Sequence, residues 1–231
     1  MNKQQTISKP VSLKGVGIHS GNEVNLTFKP ANEDFGYAFC RTDLPGKPII
    51  EADVNYVVST ERGTTLEKNG VNIQTSEHVL AALTGLEIDN VLIEIDASEP
   101  PIMDGSSKFF VEALIDAGIE EQSKDRNEYV VKEIISYYDE KSGSDITVLP
   151  ADSYEVTAMV DFGTKILGTQ NATMKSLNEF KDNFSNARTF SFLHEIEMLV
   201  DNGLIKGGDL NNAIVYVDKE LDEETMSKLK K

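Results

Sequence analysis

A chain of 231 residues has room for two domains of about 100–120 residues or one larger one, and 39% hydrophobic with 26% charged residues are the proportions of a soluble globular protein, not a disordered one. The net charge of −17 argues against generic nucleic-acid binding, which needs clustered Lys and Arg, although a few placed cations can still hold a small anionic substrate. No run approaches the roughly 20 apolar residues of a membrane span, the opening MNKQQTISKPVSLKG lacks a signal-peptide core, and Cys40, alone, excludes an internal disulfide and points to a reducing cytoplasm.

Period-two alternation predicts strands near Val11–Lys14, Glu23–Lys29 and Tyr37–Thr42, with a turn at Ser20-Gly21-Asn22 between the first two. Gly63–Gln74 reads as a hairpin turning at Lys68-Asn69-Gly70. A helix is expected from Glu77 to about Leu86, with Ser76 as N-cap and Val79, Ala82, Leu83 and Leu86 as its apolar stripe. Asn90–Asp96 reads as a strand, EPPIMDGSS as a turn-rich loop and Lys108–Ala117 as a second amphipathic helix. The polar run EEQSKDRNE after Gly118 reads as a linker. The order then begins again, with strands at Tyr129–Tyr138, Asp145–Leu149 and Tyr154–Phe162 and helices at Leu177–Phe184 and about Phe192–Asn202. A strand at Ala213–Val217 and a polar helix at Leu221–Lys231 follow. The expected class is α+β, with two similar domains at 1–125 and 126–231, each a mainly antiparallel sheet with two packed helices. The second lacks a closing strand–helix pair to match Asn90–Ala117, and so reads as truncated.

The chemistry begins at TSEHVLAAL. Glu77 and His78 open a helix whose unpaired N–H groups favour an anion, and a carboxylate beside a metal-bound water suits base-assisted hydrolysis. Taken alone, the pair is better explained as a first-turn acid stabilising the dipole beside a solvated histidine. Ala82 stands four positions after His78, so the zincin pattern is absent, and neither GVGIHSG nor GLIKGGD has the spacing of a phosphate-binding glycine loop. His19 lies at a glycine-rich hairpin tip, where turn chemistry explains the glycines. His194 lies on a helix, on the side away from Phe192, Ile196 and Leu199, and reads as an exposed residue. Asp104 could be an oriented carboxylate or part of a turn into a helix, and Thr189 a substrate hydrogen-bond donor or a cap. Phe190, Phe192, Leu193, Ile196, Met198, Leu199 and Leu204 occupy more than one helix face, as an acyl-chain groove would require.

Six ordered blocks, TISKPVSLKGVGIHSG, CRTDLPG, TSEHVLAALTGLEIDNVLIEID, EPPIMDGSSKFF, ARTFSFLHEIEML and GLIKGGDLNNAIV, together resemble the zinc-dependent UDP-3-O-acyl-N-acetylglucosamine deacetylases of lipid A synthesis over nearly the whole chain. The resemblance implies two α+β domains with a cleft between them and hydrolytic removal of an N-acetyl group from a UDP-linked acylated amino sugar. It implies His78 as a Zn2+ ligand, Glu77 as the general base and Thr189 as the oxyanion donor. His19 corresponds to a histidine near the nucleotide-phosphate end. Thr60 and Gly63 lie in a loop, Ser59–Thr65, that lines the site. Phe190, Phe192, Ile196 and Gly208 fall in an acyl passage within an insert at about 192–225. The family's other two zinc ligands belong to a His-Lys-x-x-Asp motif, and a further histidine assists the leaving amine; no histidine follows His194. The expectation is therefore a piece of a longer enzyme whose remaining ligands lie past Lys231. The tail VYVDKELDEETMSKLKK resembles versions fused to a 3-hydroxyacyl-carrier-protein dehydratase. The alternative reading is a non-catalytic module that binds a UDP-sugar or acyl chain.

Overall fold

The computed structural model describes residues 2–217, without the side chains of residues 197, 200 and 201. The helix expected at Leu221–Lys231 lies outside the described residues.

The first half begins with β1 (Lys3–Ile7), β2 (Val11–Val16), β3 (Glu23–Pro30), β4 (Tyr37–Arg41) and β5 (Ile49–Glu51). A small sheet of β6 (Val57–Ser59), β7 (Thr65–Lys68) and β8 (Val71–Ile73) follows, then α1 (Glu77–Gly85), β9 (Val91–Ile95), α2 (Lys108–Ala117) and β10 (Ile119–Asp125). The main sheet has the order β2-β3-β9-β4-β5. Only β4 and β9 run parallel in it, which the long connection through the small sheet and α1 permits. Alternation sets the buried face: Val24, Leu26 and Phe28 of β3 and Val91, Ile93 and Ile95 of β9 point inward. Opposite them α1 supplies Val79, Ala82 and Leu83, and α2 supplies Phe110, Val111 and Leu114. Phe28 and Phe110 meet edge to face at 6.2 Å across the sheet–helix boundary. Each such side chain contributes about 1.5–3 kcal/mol by leaving water, and the continuous core runs from Ile7 to Ala117. The β7–β8 turn has positive φ at Asn69 and Gly70, as the Asn-Gly pair requires.

The linker expected after Gly118 is instead β10, antiparallel to β1. Its sequence IEEQSKD is almost entirely exposed, so it carries no alternation. Backbone pairing and surface contacts such as Lys3 Nζ to Asp125 (2.7 Å) hold it.

The second half contains β11 (Ile135–Asp139), β12 (Ser144–Val148), β13 (Val156–Asp161) and β14 (Thr169–Met174), then β15 (Phe190–Phe192), α3 (Leu193–Asp201) and β16 (Ile214–Tyr216). β11 pairs with β12 and β13 with β14 as antiparallel hairpins, and β15 with β16 in parallel. The strand expected over Tyr129–Tyr138 begins only at Ile135, because the partner strand is used up at Val148 and Pro150 follows. The helix expected at Leu177–Phe184 opens as a 3-10 turn capped by Ser176 and widens over Phe180–Phe184. Phe180 docks this segment on α1: a Cβ on Gly85 would lie 2.0 Å from its ring. Tyr137, Ile146, Met159 and Val160 of the hairpins remain exposed. Among the described residues no helix is long and apolar enough to cross a membrane.

Candidate active site

The head of α1 is built by the loop before it. Ser76 does not cap the helix: its backbone is already helical and its hydroxyl donates to the Thr64 carbonyl at 3.0 Å. Thr75 takes a left-handed φ of 52°, which costs a β-branched residue about 1–2 kcal/mol. Its hydroxyl donates to Glu99 at 3.2 Å. Glu77 accepts the Thr64 amide at 2.8 Å through Oε2, while Oε1 lies 4.0 Å from His78 Nε2. Burial pushes the His78 imidazole below its ordinary 6.5, against the pull of the Glu77 and Asp104 charges. The imidazole is therefore neutral at pH 7, with a lone pair for a Lewis acid beside a carboxylate that can take a proton.

The loop at residues 100–107 joins α1 to the second half. Asp104 accepts the Ser106 amide and hydroxyl at 3.1 and 2.6 Å, which is the turn chemistry expected of an Asp-Gly-Ser run. Ser107 Oγ donates to the His78 carbonyl at 2.9 Å. From the other side, Arg188 Nε donates to the Asp104 carbonyl at 2.6 Å and the Thr189 amide to the Gly105 carbonyl at 2.7 Å. The Thr189 carbonyl accepts the Ile214 amide at 3.0 Å. Thr189 thus meets the loop through its backbone, its hydroxyl outside those bonds, and it lies four residues before α3, too early to cap it.

The other residues singled out from the sequence divide into groups. Gly63 packs on the site: a Cβ there would lie 3.3 Å from Glu77 Oε1. Thr60 is exposed. His19 joins the glycine loop that ends at Gly208, its carbonyl accepting the Lys206 amide at 3.3 Å. Among the described residues its buried Nδ1 has no hydrogen-bond partner. Phe190 and Phe192 enter an aromatic cluster with Phe162 and Tyr216, at centroid separations of 5.4–6.4 Å. His194 stacks on Phe192 at 5.6 Å, so it does not point away from that ring as its helix position suggested. Ile196 is half-buried on α3, and a Cβ on Gly208 would lie 3.3 Å from the Ile205 side chain and 3.9 Å from that of Ile18.

Glu99 was not legible as a site residue. It is 0% exposed, and its carboxylate accepts the His19 and Ser20 amides at 3.0 and 2.9 Å as well as Thr75. Its only sequence signal is an acid standing before two prolines, and its amide partners lie 80 and 79 residues away.

The donor set for a metal is incomplete. His78 with Glu77 and Asp104 nearby offers one imidazole, and among the described residues no three His, Cys, Asp or Glu side chains come together. A catalytic zinc needs three protein ligands, so the described residues by themselves do not hold one.

Comparison with known proteins agrees with the order of the blocks. A bifunctional LpxC/FabZ enzyme of Chlorobaculum tepidum is 46% identical over 98% of this chain and 49% of its own length. Another of that name, from Bacteroides thetaiotaomicron, is 43% identical over 99% of this chain and 50% of its own. A UDP-3-O-acyl-N-acetylglucosamine deacetylase of Geotalea uraniireducens is 43% identical over 91% of this chain and 68% of its own. The chain therefore spans about half the length of the first two relatives. The pattern of a single family runs through residues 4–230, across Glu77, His78, the 100–107 loop and Thr189 alike, and the chain belongs to that family, the UDP-3-O-acyl N-acetylglycosamine deacetylases.

Proposed function

We propose that the whole protein hydrolyses the N-acetyl group of a UDP-3-O-acyl-N-acetylglucosamine, an early step of lipid A synthesis. Residues 1–125 and 126–231 would be its two domains, with the acyl passage in the insert around 192–225. The observation that carries this reading is the pairing of a neutral His78 with Glu77 on one helix head, joined by the 100–107 loop to Thr189.

In this reading Glu77 takes a proton from the attacking water as its oxygen bonds to the amide carbonyl carbon. The Thr189 hydroxyl donates to the oxyanion that forms. The C–N bond then breaks as the amine takes up a proton, leaving acetate and a free amine. His19 holds the nucleotide-phosphate end, Thr60 and Gly63 line the site in the Ser59–Thr65 loop, and Phe190, Phe192, Ile196 and Gly208 take the acyl chain. Zinc, with His78 as one ligand and the others outside the described residues, supplies when bound an acidified water and a polarised carbonyl. The bifunctional relatives support a fused 3-hydroxyacyl-carrier-protein dehydratase as covalent partner. The lone Cys40 suits a cytoplasmic setting.

The test is metal content. The whole protein is expected to carry about one zinc per chain, as a catalytic site requires, and His78→Ala to lose it while keeping its circular dichroism spectrum. Undiminished zinc in His78→Ala would remove His78 from the ligand set.

A further inference from the structure

One ion pair crosses from the loop over Glu77 to the helix behind the aromatic cluster. Arg62 Nη2 lies 3.1 Å from Glu195 Oε1, the two residues standing 133 apart in sequence. On the α3 side, Glu195 Oε2 also accepts the Phe192 amide at 3.3 Å and the Ser191 hydroxyl at 3.4 Å, so the carboxylate is fixed to the strand that carries Phe190 and Phe192. Burial raises the Glu195 carboxyl, but donation from Arg62 and the Phe192 amide outweighs it and holds the group below its ordinary value. On the other side, Arg62 is followed by the two residues that meet Glu77. Gly63 packs against Oε1, and the Thr64 amide donates to Oε2 at 2.8 Å. Arg62 itself has a φ of 56° and Gly63 one of 158°. The loop therefore holds a conformation that arginine seldom adopts, with its guanidinium tied to α3.

The pair is a poor stability device. Its side chains are 37% and 27% exposed, and ion pairs in that range contribute about 0–1 kcal/mol. What it does provide is an unbroken connection: the Phe192 amide to Glu195, Glu195 to Arg62, and Arg62 through Gly63 and Thr64 to Glu77. A shift of β15 when the aromatic cluster is filled has a polar route to the Glu77 carboxylate through this pair.

We propose that Arg62 and Glu195 are a positioning pair that transmits occupancy of the Phe190–Phe192 cluster by the substrate's acyl chain to the orientation of Glu77. The inference rests on the deacetylase reading. It goes beyond that reading by making the acyl chain act on kcat, through a named contact, as well as on KM.

The experiment uses the whole protein and two substrates, the 3-O-acylated UDP-sugar and the same sugar without its acyl chain. Misplacing a catalytic group by about 1 Å costs up to about 10²-fold, so Arg62→Ala is expected to lower the ratio of the two kcat values about tenfold, with KM for the acylated sugar moving much less. Glu195→Gln, which keeps an acceptor for the Phe192 amide, gives the same drop, and Arg62→Lys, which keeps the charge, restores most of the ratio. An unchanged ratio in Arg62→Ala, or equal kcat losses on both substrates, overturns the coupling while the deacetylase reading stands. A wild-type protein that deacetylates neither sugar overturns that reading and the coupling together.

Discussion

Replacing Glu77 by glutamine in the whole protein lowers kcat for deacetylation by about 10²- to 10⁴-fold, the usual contribution of a positioned proton acceptor. Folding is expected to survive. The amide oxygen of glutamine can still accept the Thr64 amide that Oε2 accepts at 2.8 Å, and the side chain is half-exposed at the helix head, not part of the core. KM should change little, because in the proposed mechanism Glu77 acts on the water and not on the sugar or acyl chain. A parallel loss of kcat and thermal stability would mean that the carboxylate holds the loop instead of moving a proton.

Gly105→Ala is the second large effect, and it tests how the site is assembled. A Cβ at this position would lie 2.0 Å from the Asn212 carbonyl oxygen and 2.8 Å from its carbon, both of them backbone, and φ is +87°. Left-handed conformation costs about 1–2 kcal/mol and overpacking about 1–3 kcal/mol, so docking of the 188–214 segment weakens by about 2–5 kcal/mol. Hydrogen exchange separates this from global damage. The Thr189 and Ile214 amides, which bond to Gly105 and Thr189, should exchange faster, while those of β3 and β9 keep their protection. Gly143→Ala is the control: φ is +70° but nothing lies within 4 Å, so only the conformational cost remains. Equal exchange at Thr189 in wild type and Gly105→Ala would show that the loop does not carry that residue.

Elements that bury a face are readable from the chain. Strand β9, VLIEI, alternates and sits in the middle of the sheet, and α2 occupies Lys108–Ala117, as its apolar spacing predicts. Strand β10 was unreadable for the opposite reason: it buries no face, and pairing with β1 is a property of backbone hydrogen bonds that a polar sequence does not advertise. Ser76 misled because it follows a left-handed Thr75 and already has a helical backbone, so its hydroxyl turns back to the Thr64 carbonyl and not to the first-turn amides. The site divides in the same way. Glu77 and His78 are adjacent, and their place at a helix head is local information. Glu99 gathers backbone amides from the β2–β3 turn, Arg62 meets Glu195, and Phe162 reaches Phe190 from the end of a hairpin. Those relations exist only once the chain has folded, and no spacing encodes them.

In the proposed mechanism Glu77, His78 and Thr189 belong to one hydrolytic centre. Its most direct test is the release of acetate from UDP-3-O-acyl-N-acetylglucosamine by the whole protein. One acetate and one free amine are expected per substrate, lost on chelation and regained with zinc. Tight binding of the UDP-sugar with no acetate released, in zinc-loaded protein, would contradict it and leave a binding module in its place.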